Sequence, residues 1–196
     1  MIKAVIFDLN GVFIKSDFLS KRLHSQYNIS EEAFVEALKQ VMPSLRSPQN
    51  KNSFAVWQPY LQNLGLNLSE KEFFDFWFGG EQVDQDLINY AAELRQAGKK
   101  VYVLSNNFRE RTLHYRERYP GLFQNLDGAY FSWETGNIKP DKKAYLDVLA
   151  ENGLTPGECL YFDDSDKNIE VASSLGIHAQ KYLGLEETKK TVESFG

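Results

Sequence analysis

Short apolar runs that each end in a polar residue, separated by stretches long enough for a helix, constrain this 196-residue chain more than any other feature in it. Residues 3–8 form one such run and end in Asp8; the run at 101–104 meets Ser105, the one near 129–131 meets Ser132, and the one at 160–162 meets Asp163. An apolar run of that length is the pattern of a parallel strand buried on both faces, because neither side of it meets water. Helical patterns follow at about 83–97, stopping at Gly98, and at about 109–118, 141–152 and 167–175, with a last strand near 178–182. Strands alternating with helices imply a doubly wound parallel sheet with helices on both faces. The expected fold class is α/β.

Residues 16–78 interrupt the alternation and read as helices only. Ser30-Glu31-Glu32 opens one that is predicted to run to Met42 and stop before Pro43, with Phe34, Leu38 and Val41 on one stripe. Ser69 and Glu72 have the spacing of a capping box ahead of Phe73, Phe74, Phe76, Trp77 and Phe78. Eight aromatic residues fall within 54–78, a density that reads as a compact helical mini-core rather than a stack of ligand-binding rings. The expected organisation is a core of residues 1–14 and 82–196 with an α-helical cap of residues 15–81 inserted after the first strand. Gly11, Gly79 and Gly80 lie on the two connections and would let the cap hinge, the alternative being a cap packed permanently by its aromatics.

A net charge of −5 supplies no electrostatic footprint for nucleic acid or an anionic membrane. Arg109, Arg111, Arg116 and Arg118 alternate with Glu110 and Glu117 and read as a solvated helix face. No apolar run approaches the roughly 20 residues that cross a bilayer. Cys159 is the only cysteine, which excludes an internal disulfide and fits a reducing compartment. The opening run lacks the flanks of a secretory signal, so the cytosol is the expected location. Oligomeric state is left open.

In an open α/β sheet, ligands bind beyond the carboxyl ends of the strands. Those ends carry Asp8-Leu9-Asn10-Gly11-Val12, Ser105-Asn106-Asn107, a loop leading to Lys139-Pro140, and Asp163-Asp164-Ser165-Asp166-Lys167-Asn168. Asp8, Asp163 and Asp164 would bring three carboxylates to one edge, where repulsion raises their pKa values unless a cation holds them. All-oxygen ligands at few positions suit Mg²⁺, which keeps waters and shares a substrate phosphate. Lys139 and the Ser105 hydroxyl supply donors for phosphate oxygens. A carboxylate nucleophile, a dication and a lysine are what phosphoryl transfer through an aspartyl-phosphate needs.

These four segments, in this order, resemble the four motifs of the haloacid dehalogenase (HAD) superfamily, and most resemble its branch of phosphatases and dehalogenases with a helical cap. The flanking runs Glu134 to Asp141 and Tyr161 to Asn168, continuing to Leu175-Gly176-Ile177, are similar too. The resemblance implies Asp8 as nucleophile and metal ligand and the Asn10 main-chain carbonyl as a second ligand. It implies Asp164 as a direct ligand and Asp163 as a ligand directly or through water. It assigns Ser105 and Lys139 to the phosphate, Lys139 also holding Asp8. Asn106 and Asn168 would orient substrate and the acidic loop, unless Asn168 merely caps a helix. Asp166 reads as a cap for the helix after it, and His24, His114 and His178 as structural.

One position departs from the family pattern. Phosphatases of the family carry aspartate two residues after the nucleophile, where it protonates the leaving oxygen and then deprotonates the attacking water. Here that residue is Asn10, which cannot exchange a proton, and general acid–base catalysis is typically worth about 10²–10⁴-fold. The implied function is an Mg²⁺-dependent phosphatase of a small phosphorylated molecule, weakened at Asn10. A binding protein without turnover, an engineered Asp-to-Asn trap of a phosphatase and a 2-haloacid dehalogenase stand as alternatives, though family dehalogenases work without metal and the Asp163-Asp164 pair argues for one. Arg46 and Lys51, in an irregular stretch at 43–52, are either surface charges or contacts for a substrate's anionic end.

Overall fold

Alternate residues of the buried runs go to opposite sides, as the two-residue period of a strand requires. Val5 and Phe7 pack into one apolar cluster with Val101, Val103, Leu160 and Phe162, while Ala4 and Ile6 pack into another with Tyr102, Leu104, Cys159 and Tyr161. A computed structural model describes all residues, 1–196. The chain opens with β1 (Ala4–Phe7) and β2 (Ile14–Ser16), then passes through α1 (Leu19–Tyr27), α2 (Glu31–Leu45), α3 (Ser53–Asn63) and α4 (Glu70–Phe78). It returns through β3 (Glu81–Val83), α5 (Gln85–Gln96), β4 (Lys100–Ser105), α6 (Arg109–Arg118), α7 (Pro120–Gln124) and β5 (Gly128–Phe131). The remainder is α8 (Ser132–Thr135), α9 (Lys142–Glu151), β6 (Cys159–Asp163), α10 (Asp166–Ser174), β7 (His178–Lys181) and α11 (Leu185–Ser194).

Five strands form one sheet in the order β5-β4-β1-β6-β7, and every pairing in it is parallel. The central strand is therefore the first in the chain: Phe7 pairs with Val103 on one side and Phe162 on the other. From β1 the chain steps outward to β4 and β5, then crosses back to β6 and β7. That reversal opens a crevice at the carboxyl end of β1, where neighbouring connections leave in opposite directions. Residues of α5, α6, α7 and α11 cover one face of the sheet, and residues of α9 and α10 cover the other. Helix α11 extends the alternation past the last strand by burying Val192.

Helices α1 to α4 bury a third cluster, which includes Leu23, Phe34, Trp57, Phe73 and Trp77. Trp57 is fully buried, stacked on Phe34 at 5.6 Å and edge-on to Trp77 at 5.7 Å. Truncating an aromatic in such a setting costs about 3–5 kcal/mol. The aromatics thus make a helical core, and one ring of that core, Phe108, comes from the segment that leads into α6. The Ser69–Glu72 capping box is present, Ser30 caps α2, Asn52 caps α3 and Asp84 caps α5.

One expectation about the helical block needs correction. Helix α2 does not stop at Met42 but continues through Pro43 to Leu45. Proline in the final turn removes only the bond its own N–H would make to the exposed Lys39, and burial of Leu45 holds the turn in place. The two connections between the helical block and the sheet run side by side. β2 and β3 pair antiparallel, Ile14 opposite Val83 and Ser16 opposite Glu81, into a two-stranded ribbon. No helix is long and apolar enough to cross a membrane.

Candidate active site

Every strand of the central trio delivers a polar side chain to the carboxyl edge. Asp8 follows β1, and its backbone N–H still donates to Phe162 at 2.8 Å, so its position is set by the sheet itself. Asp163 is the last residue of β6 and Ser105 the last of β4. Lys139 arrives from the segment between α8 and α9. Its ammonium donates to Asp8 Oδ1 at 2.9 Å, to Asp163 Oδ2 at 2.6 Å and to the Tyr161 hydroxyl at 3.0 Å. Asp8, Lys139 and Asp163 are all buried, so these charges meet in a medium that screens them weakly.

The amide of Asn106 fixes the backbone at Lys139. Its Nδ2 donates to the Lys139 carbonyl at 2.7 Å and its Oδ1 accepts the Lys139 N–H at 2.8 Å. Asn106, expected to orient substrate, thus holds Lys139 through both ends of its amide while it lines the cleft. Asn168 is not a cap. It is buried inside α10, and its Nδ2 reaches both Asp163 oxygens at 3.0 Å. With the Ser165 N–H at 2.8 Å, and with Lys139 and Tyr161, the Asp163 carboxylate has donors on both oxygens. Asp166 is not a cap either: Ser165 precedes the helix, and Asp166 pairs with Lys181 at 2.9 Å.

Asp164 is the exposed member of the acidic trio. Asp8, Asp163 and Asp164 each offer a carboxylate oxygen within 4.8 Å of the others. Ligands across one Mg²⁺ lie about 4 Å apart when its bonds are about 2.0–2.1 Å, so the trio would close slightly around one ion, or hold it partly through water. The turn after Asp8 is shaped for the same approach. Gly11 has φ +92°, and a Cβ there would lie 2.3 Å from Asp164 Oδ2. Only a residue without a side chain lets that carboxylate sit against the turn. The Asn10 main-chain carbonyl, the other expected ligand, receives no protein hydrogen bond.

The Asn10 side chain is oriented by a residue that sequence reasoning missed. Tyr115, on α6, donates its hydroxyl to Asn10 Oδ1 at 2.9 Å, which turns Nδ2 toward the Ser105 hydroxyl at 3.5 Å. Ser105 is almost wholly buried below Asn10 rather than on the wall of the cleft. The cleft above has a volume of about 220 Å³, lined by Asp8, Asn10, Asn106, Lys139, Asp164 and Asn168 together with Arg46 and Arg111. Arg111 was read as part of a solvated face. Instead its Nε donates to Glu81 Oε1 at 2.8 Å, and its guanidinium lies over the Trp77 and Tyr115 rings. The signal was present: Phe108, Arg111 or Thr112, and Tyr115 recur at helical spacing on one stripe. Arg46, just past α2, lines the cleft, whereas Lys51 is exposed and bonds the Pro48 carbonyl at 2.8 Å.

The carboxylates are not equivalent. Burial raises the Asp8 pKa to about 6, with Lys139 holding it down and Asp163 pushing it up. Burial would raise Asp163 too, but Lys139, Tyr161 and the Ser165 N–H outweigh it and hold the group below the ordinary carboxylate value. Asp164 is raised by burial and by its neighbour Asp163. Crowded like charges of this kind are relieved by a cation. The three histidines lie elsewhere: His24 bonds Ile29, His114 packs on Phe78 and His178 packs on Phe195.

A sequence model of haloacid dehalogenase-like hydrolases matches residues 2–176. The chain is 24% identical over 186 residues to a D-ribitol-5-phosphate phosphatase of Bacteroides thetaiotaomicron, covering 90% of this chain and 89% of that protein. It is 21% identical over 196 residues to the bifunctional epoxide hydrolase 2 of Rattus norvegicus, covering 90% of this chain but only 35% of that longer protein. In three dimensions it is similar to a HAD family enzyme from Bacteroides thetaiotaomicron solved with magnesium and inorganic phosphate. That likeness has a TM-score of 0.75 at 24% identity and covers 92% of this chain and 94% of the other, a likeness of fold.

Proposed function

Because the chain belongs to the haloacid dehalogenase-like hydrolases, we propose that it hydrolyses the phosphate ester of a small molecule through an aspartyl-phosphate on Asp8, with Mg²⁺ as cofactor. The observation that carries this reading is the Lys139 ammonium bridging Asp8 and Asp163, with three carboxylates within 4.8 Å of one another at the edge of the sheet. Asp8, Asp164 and the Asn10 carbonyl would hold the ion, with Asp163 acting through water because its oxygens already have protein donors. Bound there, Mg²⁺ supplies charge stabilisation for the phosphoryl oxygens.

The remaining chemistry belongs to the protein. Asp8 attacks phosphorus and the ester oxygen leaves; water then attacks the aspartyl-phosphate and frees inorganic phosphate and the Asp8 carboxylate. Lys139 restrains Asp8 and offers its charge to the phosphate, while Ser105 steadies the amide of Asn10 above it. Asn10 can donate a hydrogen bond to the leaving oxygen but no proton, so solvent must supply one. The enzyme is therefore slow on poor leaving groups and least affected with good ones.

Residues 15–81 act in this reading as a cap on a core of residues 1–14 and 82–196. Contacts with α6 support a docked resting position: Arg111 holds Glu81, Glu110 accepts from Ser53, and Phe108 sits in the helical cluster. A cytosolic location fits the single buried thiol, Cys159. Asn10 is also the one observation that favours a second reading, a binding protein that keeps the pocket without turnover. Release of p-nitrophenol from p-nitrophenyl phosphate, with and without Mg²⁺, separates the two. Turnover that needs Mg²⁺ and vanishes in Asp8→Asn supports the phosphatase; none at saturating Mg²⁺, with phosphate still bound, supports the second.

A further inference from the structure

Two guanidinium groups line the cleft above Asp8, and only one of them is neutralised. Arg111 is paired with Glu81. Arg46 makes no ion pair, and its buried Nε has no hydrogen-bond partner. Burial, with Arg111 close by, lowers its pKa from the ordinary arginine value, and the Asp8 carboxylate offsets only part of that, so its charge is held at a cost in free energy. Buried polar groups nearly always find partners, and an unpaired guanidinium on the wall of a cleft calls for an explanation. The other cation on the wall has one already, since Lys139 serves Asp8 and Asp163. Arg46 is the charge left over.

Its place in the fold says what part of a ligand it meets. Lys139 and the carboxylates rise from the sheet edge, whereas Arg46 follows α2 in the helical block. A phosphoryl group on Asp8 is served from the sheet side, so a group at Arg46 belongs to the far end of the same small molecule. A planar fork of N–H donors matches the oxygens of a carboxylate or a phosphate. We infer that Arg46 forms a subsite for a second anionic group, so that the preferred substrates are small phosphate esters bearing a further carboxylate or phosphate.

This inference rests on the phosphatase reading, and its test keeps the two apart. The kcat/KM of the wild type is measured with Mg²⁺ on ethyl phosphate, on 2-phosphoglycolate and on ethylene glycol bisphosphate, then repeated for Arg46→Gln and Arg46→Lys. The expected result is a preference of roughly 10–100-fold for an anionic tail. Arg46→Gln should reduce that preference to within about threefold, and Arg46→Lys, which keeps the charge but loses the fork, should retain part of it. The stronger of the two anionic substrates identifies carboxylate or phosphate as the group recognised. Equal losses on neutral and anionic substrates, or no wild-type preference, would overturn the inference while leaving the phosphatase intact.

Should no ester turn over, the phosphatase reading fails and binding still decides the subsite. Calorimetry with Mg²⁺ then compares phosphonoacetate with methylphosphonate, and a wild-type preference lost in Arg46→Gln supports it, whereas equal affinities reject it. Misfolding does not confuse the result, because the cap on α2 at this position is the Arg46 backbone N–H bonded to Met42. Melting curves of the variants check this.

Discussion

Replacing Lys139 with methionine tests the electrostatic heart of the site without touching a carboxylate. The ammonium lies 2.9 Å from Asp8 Oδ1 and 2.6 Å from Asp163 Oδ2, and its side chain is 1% exposed. At an effective dielectric of about 20, each contact is worth about 6 kcal/mol of gross attraction. Much of that is offset by the desolvation of three charged groups, and removing one partner of a buried pair typically costs about 3–5 kcal/mol. For a domain of this size each kcal/mol moves the midpoint by about 2–4 °C, so Lys139→Met should melt about 6–20 °C below the wild type in metal-free buffer. The pH dependence has a definite sign. Asp8, already raised to about 6 with Lys139 in place, rises further without it. A carboxylate whose folded pKa lies above its unfolded value destabilises progressively as pH climbs from the unfolded value through the folded one. The gap between wild type and variant should therefore be smallest near pH 5 and largest near pH 8. Mg²⁺ should narrow it, because the dication compensates the same carboxylates. The assay is a set of melting curves at three pH values with EDTA and with MgCl₂. A variant melting within about 2 °C of the wild type at pH 8 in EDTA would refute the reasoning.

Three further outcomes are expected. Asn10→Asp retains the Tyr115 hydrogen bond and gains a titratable group, so kcat with Mg²⁺ on an alkyl ester such as ethyl phosphate should rise by about 10²–10⁴-fold, and by less on p-nitrophenyl phosphate, whose leaving group needs little acid help; a change below threefold on the alkyl ester would mean that proton transfer does not limit the rate. Gly11→Ala meets both a φ of +92° and a Cβ contact of 2.3 Å with Asp164 Oδ2. It should cost about 1–3 kcal/mol and weaken Mg²⁺ binding in calorimetry, and unchanged affinity would argue against Asp164 as a ligand. Burial of Asp127 is outweighed by the Val101 N–H, Lys100 and Arg95, which hold its pKa below the ordinary 3.8. Its stabilisation is present above that value and lost as pH falls through the lowered one, so Asp127→Asn should cost about 0.5–1.5 kcal/mol in urea at pH 7. A difference that persists undiminished in strong acid would exclude this linkage.

The sequence by itself determined the parallel sheet and the acidic edge. A strand buried on both faces must be apolar throughout, and the first residue past it is free to be polar, so Asp8, Ser105 and Asp163 announced both the strands and the ends where ligands bind. Gly98 and the capping box at Ser69 marked helix boundaries because their signals are local. Only the tertiary structure decided who stands around those residues. Arg46 read equally as a surface charge or as a substrate contact until the packing of α2 brought it to the wall of the cleft, Arg111 read as solvated until α6 turned it inward, and Tyr115 carried no signal of its place beside Asn10. The amides of Asn106 and Asn168 found their partners 33 and 5 positions away through the same folding. Periodicity reports which way a residue faces relative to its neighbours in the chain. Which element it then meets depends on how whole faces pack, and no local pattern carries that information.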